Sequence, residues 1–254
     1  MNYLKNTKKL KSTNMPTRED WKTYQGVFDK ITFEALYRMH PKYFDKLLGP
    51  VSTGKEADVY LAEKDNGYVA LKIYRVLARD YHGIKKYIND DPRFSKVKNN
   101  PRSIIFTWCQ KEFKNLTRMS EVGVRVPEPI RYLKNVLLME FIGTKNKASP
   151  LAKYQPPENP EEWKNIINEW IKNLWIKAGM VHGDLSEWNI INHNEKPVII
   201  DVSQAVLKAH PLSLKLLKRD VDNMTRWFNQ LGVNNDSLIE WFNKVKTECT
   251  NTNY

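Results

Sequence analysis

Cysteine is scarce in this chain: Cys109 and Cys249 are the only two. That excludes a disulfide framework and a cysteine-based zinc site, and it reads as two free thiols in a reducing compartment. The five histidines show no metal-ligand spacing. No apolar run reaches the ~18 residues a transmembrane helix needs, so no membrane partner is expected. Met1 to Arg18 has no apolar segment, which argues against a secretory signal and for a cytoplasmic location. Acids are missing from the same stretch: Lys5, Lys8, Lys9, Lys11 and Arg18 all precede the first, Glu19. No internal repeat of ~20–50 residues is present, which excludes a solenoid.

What remains is a globular composition. The chain has 254 residues, 41% hydrophobic, with eight tryptophans. That is enough for one large domain or two lobes with a real core, and too apolar for a disordered chain. The net charge of +12 suits an anionic partner such as RNA, a ribonucleoprotein or a nucleotide.

The pattern along the chain divides it in two. Thr32 to Met39 reads as a short helix stopped by Pro41. Val59-Tyr60-Leu61 and Tyr68 to Tyr74 read as strands joined by a turn at Asn66-Gly67. Period-two alternation places Ala70 and Lys72 on one face and Val69, Leu71 and Ile73 on the other. Arg79 to Arg102, with its Asp-Pro and Asn-Pro breakers, reads as a long mobile loop holding at most a short helix. Ser103 to Glu121 reads as a helix ended by Gly123. Glu112 lies on its apolar face with Ile105, Trp108 and Leu116, and needs a partner; Lys72 is the natural one. Strands around 130–132 and 136–141 follow, then a polar connector, a helix over 161–178 and two helices near 211–231 and 236–247. The divisions are a basic extension over 1–30, a β-rich lobe over 31–138, a hinge at 139–145 and a helical lobe over 146–254. A nucleotide would bind between the lobes.

The chemistry sits at the start of the helical lobe. Val181-His182-Gly183-Asp184-Leu185-Ser186-Glu187-Trp188-Asn189 is closed by Val198-Ile199-Ile200-Asp201. An Asp, an Asn five residues on, and a second Asp after an apolar strand form the order needed for phosphoryl transfer from a nucleotide. Asp184 is the candidate base, with Glu187 nearby and expected to be solvated. Ile190-Ile191 and Val198-Ile199-Ile200 read as a hairpin, which brings Asn189 and Asp201 together on one ion. His182 reads as structural. Upstream, Ser52-Thr53-Gly54-Lys55-Glu56-Ala57 has one glycine, so it is neither a three-glycine kinase loop nor a Walker motif. Its backbone N–H groups, the hydroxyls of Ser52 and Thr53, and Lys55 are nevertheless of the right kind to cradle phosphates.

Ser-Thr-Gly-Lys-Glu-Ala before a strand, His-Gly-Asp-Leu-Ser-Glu-x-Asn and Ile-Asp-Val-Ser-Gln together resemble the RIO family of atypical serine/threonine protein kinases. Within it the resemblance is to the short, archaeal-like form of the type-1 branch. The Gly-Lys-Glu-Ser, Phe-Pro-Gln and winged-helix features of the type-2 branch are absent. Trp188 stands where that family usually has Tyr, and Asp58 where it often has Asn, adding negative charge near the phosphates. The resemblance covers about residues 45–250. It implies a two-lobed α+β, protein-kinase-like fold that binds ATP with Mg²⁺, Mn²⁺ being possible. It implies that Lys72 contacts phosphate, that Met139, Glu140 and Ile142 belong to the adenine-binding hinge, and that Asn189 and Asp201 bind metal. A phosphorylated aspartate intermediate would fall on Asp201. Ser95 and Ser103, both expected to be exposed, are candidate autophosphorylation sites.

Only 53 residues follow Asp201, with no Ala-Pro-Glu segment among them, so the usual activation loop and peptide platform are not expected. The output implied is Ser/Thr phosphorylation or an ATPase-driven switch in small ribosomal subunit maturation, acting on pre-ribosomal RNA–protein particles as a monomer or weak homo-oligomer. Two other readings stand beside it. One is a small-molecule phosphotransferase of the aminoglycoside or choline type, which shares His-Gly-Asp-x-x-x-x-Asn. The other is a catalytically silent module that only binds pre-ribosomes.

Overall fold

The computed structural model describes residues 27–76, 81–94, 97–144 and 147–251. Most of the expected basic extension lies outside this range; its last residue, Lys30, opens the first helix, α1 (Lys30–Met39). Asp29 caps α1, accepting from the Ile31 and Thr32 backbone N–H groups at 2.9 and 3.1 Å. Phe28, just before the cap, packs edge-on against Tyr60 of the sheet at 5.2 Å between ring centroids.

Strands β1 (Lys46–Thr53), β2 (Ala57–Lys64) and β3 (Gly67–Tyr74) follow. The β2–β3 turn is displaced by one residue from the expected Asn66-Gly67. Its two loop residues are Asp65 and Asn66, at φ 47° and 65°, with Lys64 paired to Gly67. Asp and Asn tolerate this left-handed region, and two such residues match the twist of a tight hairpin. Next come α2 (Tyr81–Lys85) and a 3₁₀ turn, Pro92–Phe94. The described part of the expected loop is thus packed: Ile84, Tyr87, Ile88 and Phe94 are buried in the main core. Buried Asp91 pairs with Arg93 at 2.6 Å, and the Lys86 carbonyl lies 3.1 Å from the His210 ring.

Helix α3 (Pro101–Ser120) starts two residues before Ser103. Asn100 accepts from the Ser103 N–H at 3.0 Å, and Pro101 opens the first turn, where its missing donor costs nothing. Strands β4 (Pro129–Leu133) and β5 (Val136–Glu140) complete a five-stranded antiparallel sheet in the order β1-β2-β3-β5-β4. Its faces follow the alternation read from β3. Val69, Leu71 and Ile73 pack with Ala35, Leu36 and Met39 of α1, and Ala70 and Lys72 face the cleft. Burying each such large aliphatic side chain contributes about 1.5–3 kcal/mol. Buried Asn135 ties α1 to the sheet, donating to Thr32 Oγ1 and the Tyr74 carbonyl, both at 2.8 Å.

The connector contains a small hairpin, β6 (Gly143–Thr144) with β7 (Lys147–Ala148). Helix α4 (Pro160–Asn173) is capped by Asn159 and buries Trp163, Ile167 and Ile171. Its ladder widens into a π turn, Leu174–Ala178, before Gly179 ends it at φ 60°. Then come β8 (Met180–Val181), β9 (Ile190–His193), β10 (Lys196–Ile199), β11 (Val206–Leu207), α5 (Ser213–Gln230) and α6 (Asp236–Asn251). This is the two-lobed, kinase-like arrangement expected, and the chain passes from Asp201 into α5 with only β11 as regular structure between them. No helix among the described residues is long and apolar enough to cross a membrane.

Candidate active site

Between the sheet and the helical lobe lies a cleft of about 630 Å³, lined from above by Ala70 and Lys72, from behind by Glu112, and from below by Asn189 and Asp201. Lys72 is its centre. The ammonium sits 2.8 Å from Glu112 Oε1 and 3.0 Å from Asp201 Oδ1. Burial opposes the charge on Lys72, but Asp201 and Glu112 together outweigh it and hold the lysine above its ordinary range. Burial pushes the Glu112 carboxyl up to about 7 against the pull of Lys72. The pairing expected from the apolar face of the helix is therefore present, and Lys72 opposes the upward push of burial on that carboxyl.

The hairpin does what its spacing suggests. β9 and β10 pair from Ile190 with Ile199 to His193 with Lys196, and the Ile200 N–H donates to the Asn189 carbonyl at 2.9 Å. Asn189 and Asp201 thus flank the open end of one hairpin. Asp201 sits at φ 57°, a region L-residues rarely occupy. The Lys72 charge holds its carboxyl below the usual range, with Ser203 Oγ donating at 3.2 Å.

Asp184 is half exposed and is not itself a lining residue, but its carboxylate contacts two that are, Asn189 and Gln204. Burial raises its pKa, while the Arg219 guanidinium, 3.5 Å away, pulls the other way. Asn189 Nδ2 donates to the Asp184 carbonyl at 2.7 Å, fixing the loop between them. His182 is structural, as expected. Its Nδ1 accepts from the Asp184 N–H at 3.2 Å and its Nε2 lies 3.2 Å from the Ile200 carbonyl. Burial lowers it to about 4, so it is neutral, with the proton on Nε2. One ring thus ties the Asp184 loop to the residue before Asp201. Gly183, at φ 82°, has room for no side chain without pressing Leu216. Glu187 is not solvated; it is mostly buried and lies 3.6 Å from Lys153.

Ser52 and Lys55 line the cleft with Gly54, while exposed Thr53 ends β1 paired with Asp58 and is not among the lining residues. Asp58 does not add free charge near phosphates, because Arg75 holds it through two hydrogen bonds at 2.8 and 3.2 Å. Met139, Glu140 and Ile142 all line the cleft. The Glu140 carboxylate is committed to Arg125, at 2.6 and 2.7 Å, which leaves its backbone and stem to face a ligand. Ser95 lies outside the described residues. Ser103 is half-buried in the first turn of α3, not exposed, and does not line the cleft.

Several contributors escaped the sequence reading. Asp220 on α5 is fully buried and accepts from the Gly183 and Leu185 N–H groups at 2.7 and 2.9 Å. Burial pushes it up to about 7 against those two bonds. It stands beside Arg219 in a run of charges that reads as a solvated helix face. Gln204 reaches Asp184 Oδ2 at 3.4 Å. Lys111 and Asn115 lie buried on α3 against the segment after Asp201.

A family model, the RIO domain, matches residues 58–240. The chain belongs to the RIO family. Its RIO relatives include the RIO-type serine/threonine-protein kinase Rio1 of Methanocaldococcus jannaschii, 41% identical over 216 residues, spanning 85% of this chain and 74% of that protein. The Rio1 of Haloferax volcanii is 39% identical over 227 residues, 88% of this chain and 78% of that protein. Human serine/threonine-protein kinase RIO1 is 35% identical over 235 residues, which span 90% of this chain but 41% of the human protein. These relatives agree with the type-1 resemblance of the motifs. The Rio2 kinase of Chaetomium thermophilum, solved as an ADP/Mg²⁺-phosphoaspartate complex, shares the fold with a TM-score of 0.59 at 23% identity. The match covers 79% of this chain and 60% of that one.

Proposed function

We propose that this RIO protein transfers the γ-phosphoryl group of ATP to Ser/Thr hydroxyls, its own included, through Asp184, Lys72, Asn189 and Asp201. The observation that carries this reading is the bridge from Lys72 to both Glu112 and Asp201 in one cleft. A lysine so held presents a fixed cation to phosphate oxygens. Asp184, whose pKa burial raises, contacts Asn189 and Gln204 of the cleft wall and is the carboxylate we assign to accept the proton of an attacking hydroxyl. Backbone groups of 139–142 and the Ala70 and Met139 side chains suit a flat base at the other end.

The residues present fit Mg²⁺. Among the described residues no three His, Cys, Asp or Glu side chains cluster to hold a metal unaided. One carboxylate and one amide at a hairpin mouth match a hard ion that takes most of its ligands from phosphate and water. Asn189 Oδ1 and Asp201 Oδ2 are the oxygens that the hydrogen bonds above leave open. When bound, such an ion neutralises phosphate charge; Mn²⁺ accepts the same oxygen donors. Asp201 is also the carboxylate placed to take the phosphoryl group if this chain forms an acyl phosphate, which hydroxylamine would cleave.

The biological output we propose is phosphorylation or ATP-driven switching on small-subunit RNA–protein particles in the cytoplasm. The net charge of +12 and the absence of an activation segment between Asp201 and α5 support an RNA-bearing partner over an extended peptide. Membership of the RIO family favours this over small-molecule phosphotransfer. Labelled ATP turned over with and without small-subunit precursors tests it: stimulation by the particles is expected, and a rate indifferent to them would count against the partner.

A further inference from the structure

Lys111 is fully buried, yet no carboxylate among the described residues pairs with it. Burial lowers its pKa to about 7, so the ammonium is costly where it sits. A methionine of similar length would fill the space without that cost. What the ammonium adds is donors. Its Nζ donates to the Ser203 carbonyl at 2.9 Å and, more closely still, to the Ala205 carbonyl. One helical turn on, Asn115 Nδ2 donates to the Val202 and Ala205 carbonyls at 2.8 and 3.1 Å. A further turn on, Arg118 Nε donates to the Ala178 carbonyl at 2.5 Å. The three are spaced i, i+4, i+7, a single stripe of α3. Glu112, next to Lys111, points away from that stripe to Lys72.

The segment gripped by Lys111 and Asn115 follows directly on Asp201, whose φ of 57° is a strained conformation. Such strain persists only where the surroundings over-determine it. We propose that Lys111, with Asn115, is a positioning residue for Asp201: the donors of α3 hold the Val202, Ser203 and Ala205 carbonyls so that the Asp201 carboxylate stays at the hairpin mouth beside Asn189. Helix α3 and the Asp201 segment then move as one body. Lys72 of β3 reaches that body at two points, Glu112 and Asp201.

This inference rests on the reading of Asp201 as a metal ligand, and the test separates the two. Mg²⁺ is titrated against ADP binding by calorimetry for wild type, Asp201→Asn, Lys111→Met and Asn115→Ala, each well below its melting temperature. For Lys111→Met the Mg²⁺ concentration at half-effect is expected to rise about 10-fold, the low end of what losing an outer support costs a metal site. Asn115→Ala is expected to move it in the same direction. ADP affinity without metal should stay near wild type in both. A purely structural role would instead lower the melting temperature and leave the metal dependence of the folded protein unchanged. If Asp201→Asn shifts the Mg²⁺ curve and neither α3 variant does, the positioning role is wrong. If Asp201→Asn does not shift it, the metal assignment itself falls, and the inference with it. Should Lys111→Met fail to fold, Asn115→Ala decides alone.

Discussion

Acidification is expected to destabilise this protein through His182 before most carboxylates titrate. The ring is buried and neutral, with a folded pKa of about 4 against an ordinary 6.5, burial being the main cause. Because the folded pKa is depressed, the unfolded chain takes up the proton first as pH falls. His182 therefore contributes its full stability above about pH 6.5, and that contribution is lost progressively down to about pH 4. The gap corresponds to about 3 kcal/mol, of which about 1.4 is gone at pH 5.5 and about 2.5 at pH 4.5. A proton on Nδ1 would also remove the acceptor for the Asp184 N–H, so the loop carrying Asp184 should loosen first. The comparison variant is His182→Gln, whose amide can still donate toward the Ile200 carbonyl but cannot be charged. Urea unfolding of both proteins at pH 7.5, 6.5, 5.5 and 4.5 isolates this residue from shared carboxylate effects. Wild type should lose about 2.5 kcal/mol more than the variant between pH 7.5 and 4.5. Parallel pH profiles would refute the reasoning.

Asp220→Asn leaves one acceptor oxygen for two backbone donors, and turnover should fall about 10–100-fold through loss of one charge-assisted bond. Unchanged turnover in steady-state assay would show that the Gly183–Leu185 loop holds itself. Lys72→Met strands Glu112 and should cost about 3–5 kcal/mol in denaturant unfolding. Lys72→Met/Glu112→Leu should regain most of that stability and no activity; if the double variant is no more stable than the single, the pair is not coupled. Peptide mass mapping after incubation with ATP and Mg²⁺ should find phosphate on Ser95 or Ser103 in wild type and not in Asp184→Ala. Phosphate elsewhere only, or equally in that control, would remove both serines as candidates.

The sequence was most legible where chemistry and local pattern coincide. The Asp184–Asn189–Asp201 spacing lies within one loop and one hairpin, so its geometry follows from short-range turns alone. The Lys72–Glu112 pair spans two elements, but alternation on β3 and the apolar stripe on α3 each pointed one charge inward. The residues missed come from further away or from mixed patterns. Asp220 is brought under Gly183 by the packing of α5, and its charged neighbours hide it. Lys111 is buried because α3 is embedded on two sides, by sheet and helical lobe, which one apolar stripe does not reveal. In the Arg79 to Arg102 stretch, Ile84, Ile88 and Phe94 are set among charges and prolines without one sustained period, so anchors read as loop. The Asp65–Asn66 turn was off by one because Gly67 could serve equally as turn residue or strand start.

In the function we propose, Asp184 acts in the chemical step while Lys72 holds phosphate and Asn189 and Asp201 hold the metal. Single-turnover kinetics with γ-labelled ATP and Mg²⁺, with nucleotide affinity measured separately, address it most directly. For Asp184→Ala the expected result is near-normal ATP affinity with turnover lowered about 10²–10⁴-fold, the range for losing a general base. Turnover close to wild type in that variant would contradict it.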